Sequence, residues 1–477
     1  MDDDLRWVDA VGHAERIARG HLTPLEAVDA AIARIERLDP ELNAVIAPLF
    51  DAAREAARVL LPDGPLRGVP FLLKDLTVQQ AGQPFWCGNR ALHAAGHRSP
   101  ADTALGARFR AAGLITLGKT NVPELGPQPT TQPLAFGATH NPWQLDHTPG
   151  GSSGGSCAAV AAGLVPIAHA NDGGGSIRLP AGWCGLVGLK PSRGRIPLPS
   201  NEVNRNTAEL VVARTVRDVA AALDAVHGPE PGDLYAVPPP ARRFADEVGA
   251  DPVPLRIGLL VQSPLGDVHA ECTRAVDQTA RHLEALGHHV EPAWPDALFD
   301  PDVGRRTAAL WAVDTAHCVT DVARLLGRPV TADDVEPYTW ATAEYAKRFT
   351  GLEYLNALYA QQDYASRVAR WWSGGWDLLL TPTSAEPPPR LDELTPDPAQ
   401  PLAIGRRFGR ISAFTMPWNV TGQPAISLPL HWTADGLPVG VQLVGLFGGE
   451  DLLLRVAAQL EQAVPWRDRR PPDPADA

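Results

Sequence analysis

Residues 150–176 read GGSSGGSCAAVAAGLVPIAHANDGGGS. A Gly/Ser loop opens the stretch. A small-residue run of helix size follows at 158–163, and an apolar run at 164–170 has the length of a buried strand. A second glycine turn closes it and delivers one serine, Ser176. Two such turns separated by one helix and one strand can bring two serines together. A glycine run before a serine also leaves successive backbone N–H groups free to converge on a developing negative charge. The stretch therefore predicts an acyl-transfer site within an α/β unit.

The rest of the chain limits the alternatives. Its 477 residues are 44% hydrophobic and carry a formal net charge of −13. That is ample for a large core and lacks the basic footprint of a nucleic-acid binder or of a protein held on an anionic membrane. The five cysteines (Cys87, Cys157, Cys184, Cys272, Cys318) are odd in number and form no CxxC, so neither a disulfide framework nor a zinc site is expected. The acidic start MDDDLRW has no apolar h-region and no run of 18 apolar residues occurs, so a cytoplasmic protein is expected.

Toward the N-terminus, TPLE at 23–26 is a capping box with proline at the first helical position. Leu25, Val28, Ile32 and Ile35 share one face of that helix, and Asp39-Pro40 is read as its end. Residues 44–47 read as a strand. In RGVPFLLKDLTV, 67–78, an apolar run ends at Lys74-Asp75. An unpaired buried ammonium is costly, so Lys74 is either functional or a snorkelling lysine on a half-exposed strand. Residues 113–120, GLITLGKT, match the phosphate-loop pattern. Their middle residues are apolar or β-branched and a helix precedes them, so the match is read as coincidence. Beyond the opening stretch, 176–197 is rich in glycine and proline and is expected to wrap around Ser176. Residues 255–291 read strand, helix, strand. The span 300–375 is helical and tryptophan-rich, 422–430 and 440–445 are late strands, and 451–463 is a closing helix. The Pro/Asp tail at 470–477 is expected to be disordered.

Two other hydrolytic arrangements fit poorly. GGSSG at 150–154 matches a nucleophile elbow, but the residues before it read as loop instead of strand. His93 and His97 have helical spacing, yet no acidic partner lies between them and Gly96 interrupts.

Lys74-Asp75, GKTN at 118–121, GGSSGGS at 150–156, GGSIRLPAGWCGLVGLKP at 174–191 and GQPAISLP at 422–429 together resemble the amidase signature family, in order and over nearly the whole chain. The resemblance implies an α/β fold in a single large domain, residues 1–477, with a mixed central β-sheet flanked by helices on both sides. It implies Ser176 as the acyl-accepting nucleophile, Ser152 as the bridging serine held after a cis peptide bond, and Lys74 as the base. The chemistry agrees, because a hydroxyl needs a base and burial keeps a lysine neutral. The N–H groups of Gly173, Gly174, Gly175 and Ser176 are the oxyanion-hole candidates. No cofactor and no metal is called for.

The chain departs from the family at Ala170-Asn171-Asp172, where Gly-Thr-Asp is usual. Leu179 stands where the tRNA-dependent amidotransferase branch tends to carry glutamine. Stretches such as LNAVIAPLF, GATHNPW, AHANDGGGSIRLPA and RWWSGGWDLLLTPT resemble the branch acting on 6-aminohexanoate (nylon) oligomers. A small-molecule aliphatic amide, linear or cyclic, is therefore the expected substrate. Other amides, aryl esters and carbamates are the alternative. A catalytically silent binding protein with the same fold is the competing class. Trp311, Ser153 and Asn171 are the pocket candidates, with Trp311 falling where that branch has a cysteine near its substrate. A homodimer is compatible with all of this.

Overall fold

The computed structural model describes residues 4–197 and 206–476. Eleven strands form one mixed sheet: β1 (Val45–Pro48), β2 (Pro70–Lys74), β3 (Ile115–Thr120), β4 (Ile167–Asp172), β5 (Val187–Lys190), β6 (Ala208–Ala213), β7 (Arg256–Leu259), β8 (His289–Pro292), β9 (Leu378–Pro382), β10 (Ala425–Trp432) and β11 (Pro438–Gly445). Their order across the sheet is β1-β3-β2-β4-β6-β5-β10-β11-β9-β7-β8. Helices cover the sheet, and one apolar core runs from Ala10 to Trp466, so the chain is a single large α/β domain. Among the described residues no helix is long and apolar enough to cross a membrane.

β2 runs parallel to both β3 and β4. Every residue of β2 and β4 is buried, as expected for strands covered on both faces. Parallel strands place their carboxyl ends at one edge, where α/β sheets hold ligands. That edge receives Lys74, the last residue of β2, and Asp172, the last of β4. The antiparallel β6 lies beside β4 and sets Glu209 opposite Asn171.

The glycines of 150–155 are explained by packing. A Cβ on Gly151 would lie 2.3 Å from the Thr130 carbonyl oxygen, and one on Gly155 2.6 Å from the Asn121 backbone. Only small residues let the helix Gly154–Ala161, buried along its whole length, sit this deep.

Some expectations change. The helix Pro24–Leu42 continues through Pro40 to Asn43. There the Asp39 carboxylate accepts the N–H groups of Ala44 and Val45, satisfying the chain as it leaves. Residues 113–120 make a turn and strand β3, in keeping with the reading of the phosphate-loop match as coincidence. The tail expected to be disordered from residue 470 is docked through 476. Asp473 pairs with Arg6 at 2.8 Å and Arg37 at 3.1 Å, and Pro471 is buried. Two arginines neutralise the acidic segment that composition alone left unpartnered. Residue 477 lies outside the described residues.

Candidate active site

The chain has four lysines, and three of them, Lys74, Lys119 and Lys190, are buried. Their surroundings differ. Lys119 lies 3.6 Å from Asp75, whose carboxylate also accepts the N–H groups of Trp86 and Cys87. Lys190 donates to the Pro191 carbonyl at 2.8 Å. Lys74 alone has two hydroxyls around its amine. Its Nζ lies 2.7 Å from Ser152 Oγ, 2.8 Å from Ser153 Oγ and 2.5 Å from Asn171 Oδ1.

These three partners fix the direction of the amine. A neutral lysine amine has two N–H donors and one lone pair. Asn171 Oδ1 only accepts, so it takes one N–H. Ser153 Oγ donates its proton to the Asn171 carbonyl at 3.2 Å and so accepts the other N–H. The lone pair is left facing Ser152 Oγ, in position to accept the Ser152 proton. The peptide between Gly151 and Ser152 is cis.

Burial lowers the Lys74 pKa to about 7; Glu209, Cys157 and Asp172 oppose the shift only in part. The free amine that a base requires is therefore present at neutral pH. The rate of hydrolysis is expected to fall as pH drops through about 7, with one proton taken up. A pH profile of kcat/KM from pH 5 to 9 measures this. A limb near pH 4, in the carboxylate range, would count against lysine as the base.

Ser176 follows β4 in a clamped glycine turn. Asp172 Oδ1 accepts the Gly175 N–H at 2.7 Å, Thr415 Oγ1 donates to the Gly174 carbonyl at 2.7 Å, and the Leu179 N–H donates to the Gly175 carbonyl at 2.7 Å. Gly175 is thereby removed from the four oxyanion candidates, because its N–H is committed to the aspartate. Among the described residues, the N–H groups of Gly173, Gly174 and Ser176 have no protein acceptor. These three residues are also partly open to solvent, whereas Gly175 is buried. Asp172 is held in turn by Arg178 through contacts of 2.8 and 2.9 Å. Burial alone would raise the Asp172 pKa, but Arg178, Lys190 and Asn419 outweigh it and keep the carboxyl well below the usual range.

The pocket candidates separate. Ser153 and Asn171 are buried and hydrogen-bonded to Lys74 Nζ. Trp311, 40% exposed, lies on the helix Val303–Leu326 and faces the Tyr338 hydroxyl. Tyr338 stacks edge-on against Phe408 and belongs to the same apolar cluster as Leu179, three residues after Ser176. Surface cavities of about 570 Å³ around Trp294 and Trp371, and about 260 Å³ around Pro240 and Phe447, share no residue with the Lys74 cluster. The sequence reading missed Glu209 and His169, which lie behind Lys74. A glutamate and a histidine inside the apolar runs AELVVA and IAHAND were the available signal.

A strand-end lysine with two serine hydroxyls at its amine, and a glycine turn with free N–H groups at the end of the neighbouring strand, are the groups that an amidase-type site calls for. The family model for amidases matches residues 26–454, and the chain belongs to the amidase signature family, whose members hydrolyse amide bonds. The 6-aminohexanoate-cyclic-dimer hydrolase of Paenarthrobacter ureafaciens is 45% identical over 478 residues, covering 98% of this chain and 96% of that protein. A solved structure of 6-aminohexanoate cyclic dimer hydrolase complexed with substrate matches with TM-score 0.94 and 44% identity, over 98% of this chain and 99% of the other. A bacterial aryl acylamidase structure matches with TM-score 0.87 and 28% identity, over 99% of each chain.

Proposed function

We propose that the protein hydrolyses a small aliphatic amide built from an ω-amino acid, such as a 6-aminohexanoate oligomer, through an acyl-enzyme on Ser176. The observation that carries the mechanism is the 2.7 Å contact of Lys74 Nζ with Ser152 Oγ, with Ser153 Oγ and Asn171 Oδ1 as the other two partners of the amine. Ser176 Oγ attacks the amide carbon. Its proton passes to Ser152 as the Ser152 proton passes to Lys74. The N–H groups of Gly173, Gly174 and Ser176 receive the oxyanion. The C–N bond then breaks, and Lys74 returns the proton through Ser152 to the departing amine. Water attacks the ester by the same relay and frees the acid. The substrate class rests on the 45% identity to the cyclic-dimer hydrolase across almost the full length.

An aryl amide is the second reading. It is favoured by the aromatic group Trp311, Tyr338 and Phe408 next to Leu179. One panel separates them: 6-aminohexanoate cyclic dimer, linear oligomers, an anilide, a carbamate and a simple aliphatic amide, each against wild type. The expected result is a kcat/KM at least tenfold higher on the 6-aminohexanoate amides. A preference for the anilide or carbamate would reject the substrate class and leave the acyl-enzyme mechanism in place.

A further inference from the structure

The hydrogen bonds behind Lys74 continue past Asn171. Asn171 Nδ2 donates to Thr77 Oγ1 at 3.0 Å and reaches Glu209 Oε1 at 3.5 Å. Glu209 Oε2 lies 2.8 Å from His169 Nε2. Glu209 and His169 are both fully buried, and neither belongs to the catalytic relay proposed above. The other titratable or charged groups around Lys74 are accounted for elsewhere. On β4, Asp172 is bound to Arg178; on β3, Lys119 is bound to Asp75. On the helix Gly154–Ala161, the Cys157 thiol is pushed above its ordinary range by burial. His169 is kept neutral by burial and by the charges of Lys74 and Lys119. Among the described residues, Glu209 is the carboxyl beside Lys74 that makes no ion pair with an arginine or lysine.

We propose that Glu209 is a positioning residue for Lys74: it holds the Asn171 amide with its oxygen, and not its nitrogen, turned to the lysine amine. An amide carries its acceptor and its donor at opposite ends, and it stands here where the family usually has threonine. With Glu209 Oε1 accepting at one end, Oδ1 must face Lys74 at the other. A reversed amide would set Oδ1 against the Glu209 oxygen. Its Nδ2 would then occupy the Lys74 lone pair, leaving no acceptor for the Ser152 proton. The proposal rests on Lys74 being the base. Burial raises the Glu209 pKa to about 8, against hydrogen bonds from Thr77 and Asn171 and the charge of Lys74. At neutral pH the carboxyl holds a proton; carried on Oε2 and donated to His169 Nε2 at 2.8 Å, it leaves Oε1 as the acceptor, an arrangement that glutamine mimics.

The test needs no knowledge of the substrate. A fluorophosphonate that labels activated serines is reacted with wild type, Glu209→Gln, Glu209→Leu, Glu209→Ala and Lys74→Ala over pH 5–9. The labelling rate is followed by intact mass, with thermal unfolding as the fold control. Glu209→Gln, which keeps the acceptor, is expected within about threefold of wild type with the same acid limb. Glu209→Leu is expected to label at least tenfold more slowly at its plateau. Its acid limb should move to lower pH, because Nδ2 donating to the amine favours the neutral form. Glu209→Ala, with less volume, carries the same expectation if the leucine variant does not fold. Wild-type labelling in the leucine or alanine variant overturns the proposal, and so does a glutamine variant as slow as they are. Wild-type labelling by Lys74→Ala would instead remove Lys74 as the base, and the Glu209 proposal with it.

Discussion

Ser176→Ala is expected to reduce amide hydrolysis to background, and Lys74→Ala to cost on the order of 10⁴-fold or more in kcat. The two losses arise from one relay. Without Ser176 there is no acyl acceptor. Without Lys74 the Ser152 proton has no destination, because the groups left around that amine's place, the Ser153 hydroxyl and the Asn171 amide oxygen, are not bases at neutral pH. The double variant should therefore be no worse than the weaker single one. Lys74→Arg separates a base from a positive charge. A guanidinium is not deprotonated in proteins, so the arginine variant should be as inactive as alanine. Burst kinetics and mass spectrometry of the trapped acyl-enzyme measure these effects. An arginine variant with appreciable activity would mean that Lys74 acts through its charge.

Arg178→Met is expected to damage both stability and rate. Arg178 is wholly buried and donates to both Asp172 oxygens, to the Thr415 carbonyl, and to the side chains of Gln442 and Asn419. Methionine preserves volume but leaves the Asp172 charge unpaired in the interior, an effect of about 3–5 kcal/mol. Asp172 also holds the Gly175 N–H, so the turn that presents Gly173, Gly174 and Ser176 loosens with it. Misplacing one oxyanion donor lowers kcat by about 10²–10³. The sign with pH follows from the depressed Asp172 pKa. Its contribution is complete above about pH 4 and disappears as pH falls toward the folded value. Thermal unfolding at pH 7 and at pH 3 gives the stability change, and kcat on the best substrate gives the rate. Full stability with full activity in Arg178→Met would show that the pair is dispensable.

Much of the site is legible in the chain. Gly/Ser-rich turns bracketing a helix and a strand mark Ser152 and the Ser176 turn, and a lysine ending an apolar run marks the amine that Ser152 meets. The reading falls short where partners are remote in sequence. Gly175 is indistinguishable from its neighbours until Asp172 is seen to take its N–H. Ser153 and Asn171 read as substrate contacts because nothing local shows Lys74 reaching them across two strands. Pro40 reads as a helix stop, yet the Asp39 carboxylate lets the helix run on to Leu42.

By itself the sequence predicted the reaction class, since the candidate nucleophile, the candidate relay serine and the glycine turn lie within one continuous stretch and their spacing is local. Tertiary structure decided which of three buried lysines has serine hydroxyls at its amine. It decided which N–H groups remain free and what stands behind Asn171. The reason is physical: pairing in a buried site depends on which strands lie side by side. Here β2, β4 and β6 bring Lys74, Asn171 and Glu209 into one row from three distant segments.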